Sequence, residues 1–277
     1  MSKLQKIIFR TLKDITPPVI FKLFYKEKIS PYGFFGDYES WEEIKSLTTG
    51  YGKDEILEKV KNAILKVKKG EALYERDSAT FDKIYYSWPL LACLQKIAID
   101  NDLSLRILDF GGSLGSHYFQ NKDFLNNLNE LKWGIVEQEH FVDCGKEHLE
   151  NDSLKFFYDL DAGIKCITPN VIMFSNMMQY LEKPYEKTEE IINKNIEYIL
   201  IDGTAFNIEN RDRLTLQKVP PELYDASYPA WFLDESKFLK LFKNKYDLIV
   251  DFNSSVGGAN IPSKFKGYLF KRKASNA

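Results

Sequence analysis

The chain has 277 residues, enough for one large α/β domain with an appendage or for two small domains. Apolar residues make up 44% and charged residues 28%, an ordinary soluble composition, and 38 Lys+Arg against 40 Asp+Glu give no electrostatic case for nucleic acid. Cys93, Cys144 and Cys166 form no CxxC pair, which argues against a disulfide framework or structural zinc and fits a reducing cytoplasm; no apolar run reaches about 18 residues, and no secretory leader is legible.

In chain order, the first segment is basic and amphipathic, with Lys3, Lys6, Arg10, Lys13, Lys22, Lys26 and Lys28 among Leu, Ile and Phe. Packing on its own domain is the ordinary outcome; peripheral contact with the inner face of an anionic membrane is the functional one. Residues 31–36, rich in aromatics and glycine, read as a loop. Residues 41–47 are a short helix candidate, and 53–67 a clear helix with Ile56, Leu57, Val60, Ala63, Ile64 and Val67 at helical spacing. A second strong helix is expected over 80–101, kinked or started by Pro89. The pattern then turns to strands separated by helical spans. Strands are expected at 105–110, 132–137, 154–158, 170–175, 197–202, 246–253 and 267–271. Helices follow the first two strands, and one covers 184–195 after the fourth. Such alternation predicts right-handed βαβ units and a parallel sheet. The last two strands are joined only by a loop with Gly257-Gly258 and Pro262, so they should pair antiparallel.

The most informative segment is Asp109-Phe110-Gly111-Gly112-Ser113-Leu114-Gly115, a strand end, a tight turn and a helix start. Glycines serve where backbone turns sharply or approaches a ligand closely. In an open α/β sheet the ligand crevice lies at the carboxyl ends of the strands, where strand order reverses. Glu137 closes the second strand, where an acid can accept hydrogen bonds from both ribose hydroxyls and would repel a 2′-phosphate.

The loop resembles the D-x-G-x-G-x-G motif of class I methyltransferases, and five βα units followed by a terminal hairpin resemble their strand pattern. More narrowly, the chain resembles a bacterial methyltransferase family associated with surface-polysaccharide gene clusters. The matching pieces are Tyr74-Glu75-Arg76-Asp77, Tyr86-Ser87-Trp88-Pro89-Leu90-Leu91, the glycine loop, Phe174-Ser175 with Gln179-Tyr180-Leu181-Glu182, Ile201-Asp202-Gly203-Thr204, and Val219-Pro220 with Tyr224 and Ala226-Ser227-Tyr228-Pro229-Ala230-Trp231. They span about residues 30 to 270. Ser113 stands at the motif's middle glycine; a serine fits there if its φ is negative, with its hydroxyl against the cofactor edge.

The resemblance implies a Rossmann-like α/β fold with a seven-stranded, mostly parallel sheet and an antiparallel terminal hairpin. An N-terminal helical extension would cover 1–80, the methyltransferase domain 81–277, and an acceptor-binding insertion about 203–232. The implied cofactor is S-adenosyl-L-methionine. The spacing of Gly111, Gly112 and Gly115 does not give G-x-G-x-x-G, and with Glu137 and the terminal hairpin this favours S-adenosylmethionine over NAD. Expected cofactor contacts are Asp109, which would orient the loop and attract the amino group, Gly111, Gly112, Ser113 and Gly115, then Glu137 for the ribose. Gln138 and Asp159 fall near the adenine, Ser175 and Asn176 near the methyl-transfer centre, and Arg76, Tyr86 and Ser87 at the methionine carboxylate. For Arg76 a solvated charge and for Tyr86 a core aromatic are the plain alternatives.

Methyl transfer depends chiefly on holding acceptor and methyl together and aligned, and a hydroxyl acceptor gains from a general base. His140 and His148 read as solvated, while His117, just past Gly115, is the histidine to test as a base. Asp202 ends the fifth strand at the same sheet edge, and Tyr228 joins these two as a catalytic candidate. The insertion is expected to be a long loop whose Arg213, Gln217, Tyr224 and Trp231 bind a sugar or sugar phosphate. No metal-ligand spacing is present. The function implied is O-methylation of a sugar, polysaccharide precursor or similar polar metabolite; a binding or scaffolding protein that has lost catalysis is the alternative. A nucleotide-sugar oxidoreductase would need a Tyr-x-x-x-Lys pair in a suitable place, and none stands there.

Overall fold

A computed structural model describes residues 30–48, 54–221, 226–255 and 257–274. The basic N-terminal segment and Tyr224 lie outside them. The compact unit carrying the site begins at Gly33. Its elements are β1 (Gly33–Tyr38), α1 (Trp41–Lys45), α2 (Asp54–Lys68), the hairpin β2 (Tyr74–Arg76) and β3 (Ala79–Phe81), α3 (Trp88–Asp100), β4 (Ser104–Phe110), α4 (Ser116–Leu125), β5 (Glu130–Val136), α5 (Glu139–His148), β6 (Leu154–Phe157), α6 (Leu160–Ile167), β7 (Val171–Ser175), a 3-10 turn (Met178–Tyr180), α7 (Pro184–Asn193), β8 (Tyr198–Asn207), β9 (Arg213–Lys218), β10 (Ser227–Phe232), α8 (Glu235–Lys240), β11 (Tyr246–Asn253) and β12 (Ser263–Arg272). No helix among the described residues is long and apolar enough to cross a membrane.

The main sheet has seven strands in the order β11-β12-β8-β7-β4-β5-β6. Strands β4 to β8 pair parallel, and β12 lies antiparallel between β8 and β11. This is a Rossmann-like, seven-stranded and mostly parallel sheet with an antiparallel terminal hairpin, as the strand pattern of the sequence implied. Side chains alternate across a strand, and with both faces covered nearly every position is apolar. Ile107, Trp133, Ile135, Val171, Met173, Tyr198 and Leu200 face α2 to α5; Leu108, Val136, Ile172, Phe174, Ile199 and Ile201 face α6 to α8. Strand order reverses between β4 and β7, which opens a crevice at their carboxyl ends.

Four local readings change. Residues 31–36 are not a plain loop: β1 begins at Gly33 and pairs antiparallel with β9, Phe34 opposite Gln217. The helix expected over 80–101 starts only at Trp88, with Pro89 in its first turn and the β2–β3 hairpin before it. The insertion is not a loop but a meander, β9 and β10 completing a three-stranded sheet with β1. Strand β8 does not stop at Asp202; it continues to Asn207 because β12 pairs along its whole length. Residues 33–80, read as part of a helical extension, are built into the same unit.

Leu108 sits in the centre of the second core, packed where Gly134 and Gly163 carry no side chain: a Cβ at Gly163 would lie 2.6 Å from its Cδ1. Leu108→Ala should therefore cost about 2–5 kcal/mol in urea denaturation, and Gly163→Val should destabilise by overpacking the same spot.

Candidate functional site

The turn after β4 is built on a buried acid. Asp109 is 1% exposed, and its Oδ2 accepts a hydrogen bond from Trp133 Nε1 at 3.2 Å while Oδ1 has no partner. Burial pushes this carboxyl up to about 6, against the pull of His117 and the Trp133 bond. Gly112 lies directly on the carboxyl group; a Cβ there would come within 2.6 Å of Asp109 Cγ. Gly111 turns the chain at φ +76° and donates its N–H to the Val136 carbonyl at 2.9 Å. Ser113 adopts φ +52°, so the negative φ that would suit a serine is not what the turn uses. Gly115, at φ +92°, starts α4.

These strand ends open into a cavity of about 1220 Å³. Gly111 and Ser113 line it, whereas Asp109, Gly112 and Gly115 do not. Asp109 therefore supports the loop from below, buried and outside the cavity wall, which is not the exposed position expected of a group that attracts an amino group. Glu137 lines the cavity at the end of β5. Its carboxyl is raised by burial and drawn back by backbone N–H groups of Gln138, at 2.7 Å, and Ser113. Gln138 and Asp159 are also in the wall. Asp159 caps α6, accepting from Ala162 N at 2.8 Å.

Opposite the loop stands the β2–β3 hairpin. Its two-residue turn, Asp77-Ser78, has positive φ at both positions, the type I′ geometry of tight hairpins. Glu75, 2% exposed, accepts from Ser78 N at 2.9 Å and from Ser116 Oγ at the start of α4. Arg76 lines the cavity too. His117 lies in the first turn of α4, within the wall. Gln120 donates Nε2–H to the Tyr85 carbonyl at 2.6 Å, which turns its Oε1 toward His117 Nδ1 at 3.3 Å. That arrangement selects the Nδ1–H tautomer and leaves Nε2 as the basic nitrogen.

Deeper in, Ser175 and Asp202 are register partners on β7 and β8, and Asn176 follows at φ +53°. All three line the cavity. Asp202 is fully buried; Oδ2 accepts from Ser87 Oγ at 3.3 Å, and Oδ1 has no partner. The small sheet forms the facing wall, with Phe34, Gln217 and Tyr228 side by side across β1, β9 and β10. Tyr228 packs edge-on against Tyr180 with centroids 5.2 Å apart. Gln179 Oε1 and Gln217 Oε1 are buried without a partner.

Three predicted contacts fall elsewhere. Arg213 donates twice to the Gly36 carbonyl, at 3.0 and 2.9 Å, tying β9 to β1. Trp231 lies on the other face of the small sheet, stacked on Trp41, with its N–H toward the Glu182 carbonyl. Tyr86 packs on Trp88 and Phe124, away from the cavity. Tyr224 lies outside the described residues. Glu75, Gln120, Gln179 and Tyr180 were not singled out by sequence; the first, third and fourth belong to the family-like segments, the only signal available. Among the described residues no three His, Cys, Asp or Glu side chains converge as a metal site.

No protein-family model matches the chain, and no curated protein sequence matches it. Solved structures with a similar fold include the N-terminal domain of EvdMO1, solved in the presence of SAH and D-fucose, at 9% identity and TM-score 0.47 over 80% of this chain and 98% of that one. A magnesium protoporphyrin IX methyltransferase from Synechocystis PCC 6803 with bound SAM is 10% identical, TM-score 0.45, over 81% and 100%. The glycopeptide N-methyltransferase MtfA complexed with SAM is 11% identical, TM-score 0.47, over 68% and 96%.

Two outcomes follow from the loop. A non-glycine residue in the left-handed region costs roughly 1–2 kcal/mol, so Ser113→Gly should raise the unfolding free energy by about 1 kcal/mol in chemical denaturation. Asp109 has a folded pKa of about 6, above the ordinary carboxylate value, so the folded state binds the extra proton and stability falls as pH rises from about 4 through 6. Asp109→Asn should remove roughly 2–3 kcal/mol of that slope, matching the parent below about pH 4 and exceeding it above pH 7 in thermal melts.

Proposed function

We propose that the chain is an S-adenosylmethionine-dependent methyltransferase acting on a hydroxyl of a sugar, a polysaccharide precursor or a similar polar metabolite. The observation that carries this reading is the cavity at the carboxyl ends of the parallel strands, floored by Gly111 and Ser113, with Glu137 in its wall at the end of the neighbouring strand. The residues fit the group: an acid for two vicinal hydroxyls, Gln138 and Asp159 flanking a base, and Arg76 with Ser87 on the side of the hairpin and α3 for a carboxylate. When bound, S-adenosylmethionine supplies an electrophilic methyl group that an acceptor oxygen must approach in line with the departing sulfur.

The acceptor is assigned to the space between β8 and the small sheet. Asp202 Oδ1 lacks a donor there, and Gln179 and Gln217 offer further acceptor oxygens beside the rings of Tyr180, Tyr228 and Phe34. Oxygen acceptors with aromatic faces suit a hydroxyl-rich molecule, whose hydroxyls donate and whose CH faces stack. In this reading Asp202 orients the acceptor hydroxyl and His117 Nε2 receives its proton. Tyr228 shapes the pocket beside them.

Calorimetry with S-adenosylhomocysteine tests the cofactor half. Saturable binding is expected, weakened about tenfold or more by Glu137→Ala; no heat at millimolar ligand rejects the reading. In assays against a sugar-nucleotide panel, Asp202→Asn should lower turnover by about a hundredfold or more while S-adenosylhomocysteine affinity stays within about twofold.

A further inference from the structure

We propose that Glu75 is the acceptor for the α-ammonium group of the bound cofactor, so that the β2–β3 hairpin reads the amino-acid end of the molecule. The inference rests on the methyltransferase reading and concerns residues outside the glycine loop.

The first step is an exclusion. The acid of the loop itself, Asp109, lies under Gly112 and is absent from the cavity wall, so it offers no oxygen to a ligand. A cationic ammonium entering on the loop side needs another partner. Glu75 is in the wall beside Ser116, and Gly111, Ser113 and His117 line the same cavity.

The second step concerns what Glu75 lacks. It is 2% exposed, and the hydrogen bonds it accepts come from neutral donors, the Ser78 N–H and the Ser116 hydroxyl. No ion pair within 4.0 Å involves it among the described residues, and its neighbour Arg76 approaches Asp77 instead, at 3.9 Å. Buried carboxylates are ordinarily paired with a cation, because neutral donors alone do not offset the loss of water. The imidazole of His117 acts on Glu75 through space without bonding to it, and the cavity that Glu75 lines gives a ligand cation access to it. Each carboxylate oxygen keeps a second lone pair for it.

The third step is rigidity. The type I′ turn fixes Glu75 from one side, and the Ser116 bond ties it to the helix that the glycine loop begins. The acid is thus held in a set relation to the turn that floors the cavity. Arg76, next on the strand and also in the wall, is placed for the carboxylate of the same zwitterion.

The experiment compares ligands by calorimetry on the full chain. S-adenosylhomocysteine carries the ammonium group; 5′-deoxy-5′-methylthioadenosine has the same nucleoside thioether without the amino-acid end. Glu75→Gln should weaken S-adenosylhomocysteine by about ten- to a hundredfold and change methylthioadenosine by less than about twofold. Equal weakening of both ligands overturns the proposal, since Glu75 would then merely support the loop; so does unchanged S-adenosylhomocysteine affinity. Deaminated S-adenosylhomocysteine provides a measurement that needs no variant. The parent protein should bind it about ten- to a hundredfold less tightly than S-adenosylhomocysteine, and equal binding also overturns the proposal. A parent protein that binds methylthioadenosine and S-adenosylhomocysteine alike contradicts recognition by Glu75, whereas one that binds neither contradicts the cofactor reading itself.

Discussion

The site depends on one packing contact, the Gly112 backbone resting on the Asp109 carboxyl group. With any side chain at 112 the turn would have to lift off the strand. With no acceptor oxygen at 109, the buried Trp133 N–H would lose its partner. The contact bends the chain sharply enough that α4 starts beside β4 and its first turn enters the crevice. Everything assigned to the loop, including the place of His117 and the bond from Ser116 to Glu75, follows from that bend.

How much of this was legible depended on whether the signal was local. The strands β4 to β8 announce themselves as apolar runs between helical spans, and the loop between β11 and β12 forces an antiparallel hairpin, so the sheet was readable from order and spacing. The small sheet was not. Its strands carry Arg213, Thr215, Gln217 and Lys218 or Tyr228 and Trp231, which look like a polar binding loop until β1, far away in sequence, is placed beside them. Their alternation is real: Leu214 and Leu216 pack with Ile44, while the opposite face looks into the cavity.

The same non-local pairing explains which site residues were legible. Glu137 and Ser175 sit at strand ends, and strand ends in a parallel sheet converge on the crevice whatever their sequence. Arg213 and Trp231 have the chemistry of ligand contacts but spend it on the fold, the first on a carbonyl of β1 and the second on a ring of α1. Glu75 shows the reverse. It lies in a short hairpin with no periodic signature, and only the tertiary approach of that hairpin to α4 makes it part of the wall.

Around the cavity the protein keeps buried acids whose hydrogen-bond donors are neutral: Asp109 and Asp202 each with one bare oxygen, and Glu75 bonded to the Ser78 N–H and the Ser116 hydroxyl. A core optimised for stability alone would replace or pair them, since unpaired buried charge opposes folding. Asp109 is the acid that the fold itself uses, because its carboxyl supports the turn. Asp202 supports no turn, Glu75 holds only its own hairpin turn and the start of α4, and both line the cavity. A cationic ligand that binds the folded chain and not the unfolded one would return stability in proportion to its affinity. The two acids at the cavity therefore divide by what each lacks: Glu75 lacks positive charge, and Asp202 Oδ1 lacks a hydrogen-bond donor. Those are the complements of an ammonium group and of a hydroxyl, the two ends of a transfer from a charged donor to a neutral acceptor.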